Sequence, residues 1–409
     1  MRRTVDAVFR IEAPRLIARL TRMTGDVGVA EELSQDALVA ALEQWPRTGV
    51  PERPGAWLMT VAKRRGVDHI RRDVTLQRKT DELAHTTPQV TVDDVDLDDD
   101  DVPDDLLRLI FTACHPVLST DARVALTLRL LGGLTTDEIA RAFLVPEPTV
   151  AQRIVRAKRT LAEARVPFEL PPREELGERL SSVLEVIYLV FNEGYAATAG
   201  DDWVRPALCE DALRLGRVLA GLMPDEPEVH GLVALMEIQA SRLRARVDAD
   251  GQPVLLLDQD RRRWDRLLIA RGFAALDTAQ RLHRGLGPYG LQAAIAACHA
   301  RAASADDTDW ARIAALYDAL GQLTRSPIVE LNRAVAVGMA FGPAAGLEVV
   351  DAVASDPALA SYHLLPSVRA DLLAKLGRTD EARAELLRAA TMTRNAREQA
   401  LLLERAGTL

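Results

Sequence analysis

The sequence predicts an all-α, multidomain protein. Hydrophobic residues make up 48% of the 409 positions and aromatic ones only 4%, and Ala, Leu, Arg and Glu are abundant, so helix formers outweigh strand formers. Apolar residues recur at helical spacing in the segments taken up below. The length exceeds what one hydrophobic core covers, so two to four domains are expected.

The first of these, over residues 1–75, contains GDVGVAEELSQDALVAALEQW, which places Glu32, Gln35 and Asp36 along one edge of a helix and Val29, Leu33, Ala37 and Ala40 on the other face. The following stretch, RPGAWLMTVAKRRGVDHIRRD, has Pro54 near its start. Arg64, Asp68, Arg71 and Arg72 then recur at helical spacing, with Lys63 and Arg65 widening the basic surface. Trp57 suits either a packed core position or stacking on a base.

Charge divides the chain more sharply than the net value of -9 suggests. Residues 1–79 hold 15 Lys or Arg against 10 Asp or Glu, and residues 106–165 hold 9 against 5. Between them, residues 80–105 carry 11 carboxylates and no Lys or Arg: Asp81, Glu82, Asp93, Asp94, Asp96, Asp98, Asp99, Asp100, Asp101, Asp104 and Asp105. Such a run repels itself and buries little apolar surface, so an acidic linker is expected over 76–105. It is either a solvated tether or a segment that lies in a partner's basic channel or competes with DNA for the basic modules.

Residues 106–166 read as a helix-turn-helix. Thr135 stands three residues before Glu138, the spacing of a capping box, and Ile139, Ala140 and Phe143 supply the buried face of a short helix. Leu144 and Val145 lead into a turn, and Pro146 and Pro148 suit the first turn of a second helix. There Val150, Ile154, Ala157 and Leu161 form the core stripe. Thr149, Gln152, Arg153 and Arg156 share the opposite face, with Lys158 and Arg159 flanking. Gln and Arg make bidentate contacts to adenine and guanine edges while other cations hold phosphates, so Gln152 and Arg153 are the expected base readers.

A second boundary is expected at 167–173 (PFELPPR), where paired prolines resist helical continuation. Residues 174–409 read as one helical array. Near its end, an amphipathic helix, a Leu376-Gly377-Arg378 turn and two further helices approach tetratricopeptide spacing, and residues 330–353 form a weaker earlier unit. Leu320-Gly321 and the small residues Ala336, Gly338 and Ala340 suit close helix packing. Asn192, Glu193 and Tyr195 read as a helix end capped by Asn-Glu-Gly or, alternatively, as a polar cluster with a functional role.

The order of these features resembles the extracytoplasmic-function (ECF) sigma factors of the sigma-70 family. Their region two has a GD-x-x-x-AEEL-x-QD-like helix, matched here at 25–36, and an AWL-x-x-x-A-x-x-x-x-x-D-x-x-RR helix, matched at 56–72. Region four resembles residues 106–165, although Pro146 and Pro148 stand where the family commonly has Ser or Thr and then Gly. The extension resembles the subgroup with a tetratricopeptide-like C-terminal domain, as does LVFNEGY at 189–195.

The resemblance implies promoter recognition by a partner of core RNA polymerase. Glu31, Glu32, Leu33, Gln35 and Asp36 fall on the polymerase-binding helix, and Trp57, Lys63, Arg64, Asp68, Arg71 and Arg72 on the helix that opens the minus-ten element of promoter DNA. Thr149, Gln152, Arg153, Arg156, Lys158 and Arg159 fall on the helix that reads the minus-thirty-five element. The alternative is a helix-turn-helix regulator that does not act as a sigma subunit.

No enzyme is legible, since 174–409 shows no nucleophile and base pair, phosphate loop or metal-ligand spacing. Cys114, Cys209 and Cys298 are widely spaced and odd in number, as expected of buried free thiols, and no metal or cofactor is expected. No membrane-length apolar run or signal peptide is seen, so a cytoplasmic location is expected. The helical array should offer a groove to a protein or peptide partner.

Overall fold

The computed structural model describes residues 2–81, 102–200, 202–282 and 285–409; the side chains of residues 2, 3, 68–81, 102 and 199 are not described. The greater part of the expected acidic linker, residues 82–101, therefore lies outside the described residues. The chain divides into two compact units, Met1–Val186 and Ile187–Leu409.

In the first unit, α1 (Arg2–Thr24) packs against α2 (Val27–Thr48) and α3 (Pro54–Asp81). The corner between α1 and α2 is set by Gly25, whose φ of 72° suits a residue without a Cβ, and by Asp26, whose Oδ1 accepts from the amides of Gly28 and Val29 at 2.6 and 3.0 Å. Ala30, Ala37 and Ala41 let α2 approach closely, and Leu16, Ile17, Leu20, Trp45 and Leu58 fill the core.

The helices α4 (Val102–Ala113), α5 (Thr120–Leu130), α6 (Thr136–Phe143) and α7 (Glu147–Glu163) follow. The linker reading is corrected at both ends, because α3 continues to Asp81 and Asp104 and Asp105 lie in the first turn of α4. Asp105 is fully buried and accepts from Arg108 at 2.7 Å, with Arg22 of α1 at 3.6 Å. A carboxylate at a helix N-terminus with two guanidiniums beside it is a structural anion.

The expected boundary at 167–173 also moves. The division falls inside α8 (Arg173–Tyr195), whose first half belongs to the first unit. Arg179 donates to the Phe111 carbonyl at 3.1 Å and Ser182 to that of Cys114 at 2.7 Å. Carbonyls at the C-terminus of α4 lack helical partners, and α8 supplies them.

The second unit continues with α9 (Pro206–Leu222), α10 (Pro227–Ala240), α11 (Arg266–Arg281), α12 (Pro288–Arg301), α13 (Trp310–Thr324), α14 (Pro327–Phe341), α15 (Pro343–Val353), α16 (Leu364–Lys375), α17 (Thr379–Met392) and α18 (Ala396–Thr408). Most pack chiefly on their neighbours in sequence, as a helical array does, but α12 packs most extensively on α10. Gly377, at φ 77°, makes the turn between α16 and α17, whereas Leu320 and Gly321 lie inside α13. A Cβ on Gly346 of α15 would stand 2.8 Å from the Ala334 carbonyl and from Gly338 Cα of α14, so glycine is what permits this approach.

One departure from pure helix joins the two ends of this unit: β1 (Ala199–Gly200) pairs in parallel with β2 (Arg394–Asn395). Asn395 is buried. Its amide donates to the carbonyls of Ala197 and Asp202 at 3.0 and 2.9 Å, and its Oδ1 caps α18.

Candidate nucleic-acid interface

The helix-turn-helix forms where its residues place it, with Ile139 and Ala140 buried and Phe143, expected on the same buried face, only half-buried. Thr135 Oγ1 accepts from the Glu138 amide at 3.1 Å, and Glu138 accepts the Thr135 amide at 2.8 Å, closing the capping box. Glu138 also takes Arg10 of α1 at 2.9 Å. Leu144 ends α6 in the left-handed region at φ 51°, and Pro146 caps α7, with Pro148 in its first turn. Val150, Ile154, Ala157 and Leu161 are all buried, as their spacing required.

On the outer side of α7, Gln152, Arg156 and Arg159 are exposed and Thr149 is half-buried beside them. Arg159 pairs loosely with Glu163 at 3.4 Å, and Arg153 leans to Asp121 at 3.1 Å. Both ion pairs lie at the surface, where such contacts are weak and exchangeable. Lys158 does not join this face. It turns to the opposite edge of the helix and pairs with Glu31 of α2.

That pairing reorganises the reading of α2. Glu31 is 5% exposed, takes Arg129 Nε of α5 at 2.6 Å on one oxygen and meets Lys158 of α7 with the other. Burial pushes its carboxyl up, but Lys158 and then Arg129 more than offset that, and it lies below the ordinary Glu value. Leu33 is buried too, so only Glu32, Gln35 and Asp36 form the accessible edge of the expected polymerase-binding set. Asp36 faces α3, where Arg65 pairs with its carboxylate at 3.3 Å and donates to its carbonyl at 2.9 Å.

On α3, Trp57 is half-buried and meets Trp45 edge-on, ring centroids 5.3 Å apart, which favours the packing role for its body while one edge stays accessible. Lys63 is half-buried and Arg64 exposed. The side chains of Asp68, Arg71 and Arg72 lie outside the described residues.

Elsewhere, Glu193 is a buried anion, not a cap. Arg205 pairs with it and Thr198 Oγ1 donates to it at 2.8 Å. The three cysteines are free and buried; burial raises the Cys114 thiol to about 11 and that of Cys209 to about 12. Among the described residues no group of three or more His, Cys, Asp or Glu is placed to hold a metal ion. No described helix is long and apolar enough to cross a membrane.

Comparison with known proteins agrees with this geometry. Residues 8–74 match sigma-70 region 2, residues 108–161 match sigma-70 region 4, and residues 179–280 match a family of unknown function, DUF6596. An uncharacterized protein of Rhizobium meliloti (strain 1021) is 44% identical over 407 residues, 97% of this chain and 94% of that one. The probable ECF RNA polymerase sigma factor SigI of Mycobacterium tuberculosis is 30% identical over 42% of this chain and 58% of its own length. The ECF RNA polymerase sigma factor SigL of the same species is 32% identical over 34% of this chain and 76% of its own. No solved structure matches. With both sigma regions matched in order and SigL matched over most of its length, the chain belongs to the ECF RNA polymerase sigma factors of the sigma-70 family.

Proposed function

We propose that this chain binds core RNA polymerase and directs it to promoter DNA, with the helical array of the second unit regulating or supporting that activity from within the cytoplasm. The observation that carries the reading is the outer face of α7, where Gln152, Arg156 and Arg159 are exposed with Thr149 half-buried beside them, on a helix that starts at Pro146 directly after the left-handed turn at Leu144. Amide and guanidinium groups there suit base edges and phosphates of a major groove, with Arg153 recruited from its surface pair with Asp121.

The accessible edge Glu32, Gln35 and Asp36 offers polymerase an acidic strip, and Trp57, Lys63 and Arg64 offer single-stranded DNA an aromatic edge and cations. Polymerisation chemistry stays with the polymerase. The successive helices of the second unit suit a peptide or protein partner.

Run-off transcription with core polymerase and genomic DNA fragments tests this reading. Defined start sites that require the chain are expected. A full-length chain that neither co-purifies with core polymerase nor produces such transcripts, while still binding DNA, would be a regulator of another kind.

A further inference from the structure

The second unit contains a cluster of guanidiniums, Arg261 buried and Arg242 and Arg246 half-buried, set against aromatic rings. Arg242, just beyond the end of α10, lies 5.7 Å from the ring centroids of both Tyr195 and Trp264. Arg246 stands 3.8 Å over Tyr195, and Arg261 stands 4.8 Å over Trp264. Arg261 spends its hydrogen bonds on the carbonyls of His299 and Ala302 and on Thr308. None of the three forms an ion pair with a carboxylate among the described residues. Aromatic faces compensate a partly desolvated cation only in part, so the half-buried Arg242 and Arg246 keep positive charge that no adjacent carboxylate neutralises. Burial, and the charge of Arg246 beside it, lower the affinity of Arg242 for its proton.

This charge opens onto a cavity of about 210 Å³. Arg242 lines it together with Gln239, Gln292, His299, Tyr317 and Asn332. Its apolar wall includes Leu256, Ile295 and Leu320. His299 is 9% exposed, and its Nδ1 has no partner. Burial and the neighbouring Arg242 and Arg261 hold that imidazole near 4, hence neutral at physiological pH, so one ring nitrogen carries a proton and the other a lone pair. No hydrogen bond engages the side chains of Arg242 or Gln239, or the Tyr317 hydroxyl, among the described residues, while the exposed Asn332 stands at the rim. Within one small space there are thus a cation without an anion, several polar groups without partners and an apolar wall. That combination marks a ligand site rather than a packing defect.

We propose that this cavity binds a small monocarboxylate with an apolar body, its carboxylate on Arg242 and the Tyr317 hydroxyl and its body against Ile295 and Leu320. One lining guanidinium among neutral amides matches a single negative charge, and its planar fork matches a carboxylate. The apolar wall disfavours a compact, strongly hydrated anion such as inorganic phosphate. The site gives the second unit a way to respond to a metabolite. That consequence rests on the reading of the chain as a transcription factor, whereas the binding itself does not.

Titration calorimetry on the full-length chain tests the proposal, using benzoate and hexanoate as probes, with benzamide and inorganic phosphate as controls. Saturable binding of a carboxylate, absent for benzamide, is expected. R242Q should weaken it on the order of 100-fold, as expected for a lost charged hydrogen-bonded partner, and Y317F, which preserves packing, by up to about 10-fold. Circular dichroism confirms that each variant is folded, and Y317F provides the reading should R242Q not fold. No saturable carboxylate binding, equal binding of benzamide, preference for phosphate, or affinity unchanged in folded Y317F and R242Q would each overturn the proposal.

Discussion

Glu31 and Arg129 lie 98 positions apart in sequence and meet at 2.6 Å, with Lys158 closing on the other carboxylate oxygen. One carboxylate of α2 thereby fastens α5 and α7 to the N-terminal bundle. The contact turns the two sigma regions from independent modules into parts of one compact unit, and the Arg10–Glu138 and Arg22–Asp105 pairs reinforce it.

E31Q therefore leaves two cations facing a neutral group. Removing one partner of a buried ion pair costs about 3–5 kcal/mol, so the urea midpoint of the first unit should fall accordingly. The pH dependence has a definite sign. The folded carboxyl lies below its ordinary value, so its contribution is complete above the unfolded Glu range and is lost as pH falls through the folded value. Acid unfolding of E31Q should lack that component. An acid transition identical to that of the parent would show that the pair contributes nothing.

Leu144 illustrates a smaller cost. Its left-handed backbone at φ 51° strains a side chain that is 53% exposed and packs little. Leu144→Gly removes that strain at some expense in unfolded-chain entropy, for a net gain of up to about 1 kcal/mol. Leu144→Val, β-branched in the same conformation, should lose stability. Thermal unfolding separates the two, and the opposite order would mean that the turn relaxes without strain.

Arg156 and Gln152 should divide affinity from specificity. Both are exposed, so alanine at either changes stability by no more than about 0.5 kcal/mol. R156A should weaken promoter binding evenly across sequences and reduce the salt slope by about 1. Q152A should lose about 1–3 kcal/mol of discrimination at one base position. Fluorescence anisotropy across a salt series and a set of single-base variants measures both. A Q152A protein with unchanged sequence preference would remove Gln152 from base reading.

How much was legible in the sequence follows the range of the interactions involved. The capping box of Thr135 and Glu138, the stripe Val150, Ile154, Ala157 and Leu161 and the Gly377 turn are local, set by spacings of a few residues, and all formed as expected. Glu31 was readable as a helix residue but not as a buried anion, because its partners come from α5 and α7. Asp105 was hidden in the same way: within a run of carboxylates nothing marks the one that meets Arg22 and Arg108. The prolines at 171 and 172 do end a segment, yet the side chains of Arg179 and Ser182 carry the first unit beyond them. The cavity at Arg242 draws on several helices and an irregular segment, and its only local trace is the density of arginines over 242–263 beside Trp264.

Gly346 tests the packing of the helical array in isolation from the sigma regions. Alanine is the better helix former by about 1 kcal/mol, so in an exposed helix the change would stabilise. Here the added methyl would stand 2.8 Å from both the Ala334 carbonyl and Gly338 Cα, and these are backbone atoms that no rotamer change can move. Overpacking of this kind costs about 1–3 kcal/mol, which at its upper end outweighs the propensity gain, so G346A should lose up to about 2 kcal/mol in the second unit. Peptide-resolved hydrogen exchange should show weaker protection across α14, α15 and α16, with α1 to α3 unchanged. Protection maintained in α14 and α15 would mean that the two helices separate at no cost, and that the glycine contact is not what holds them in register.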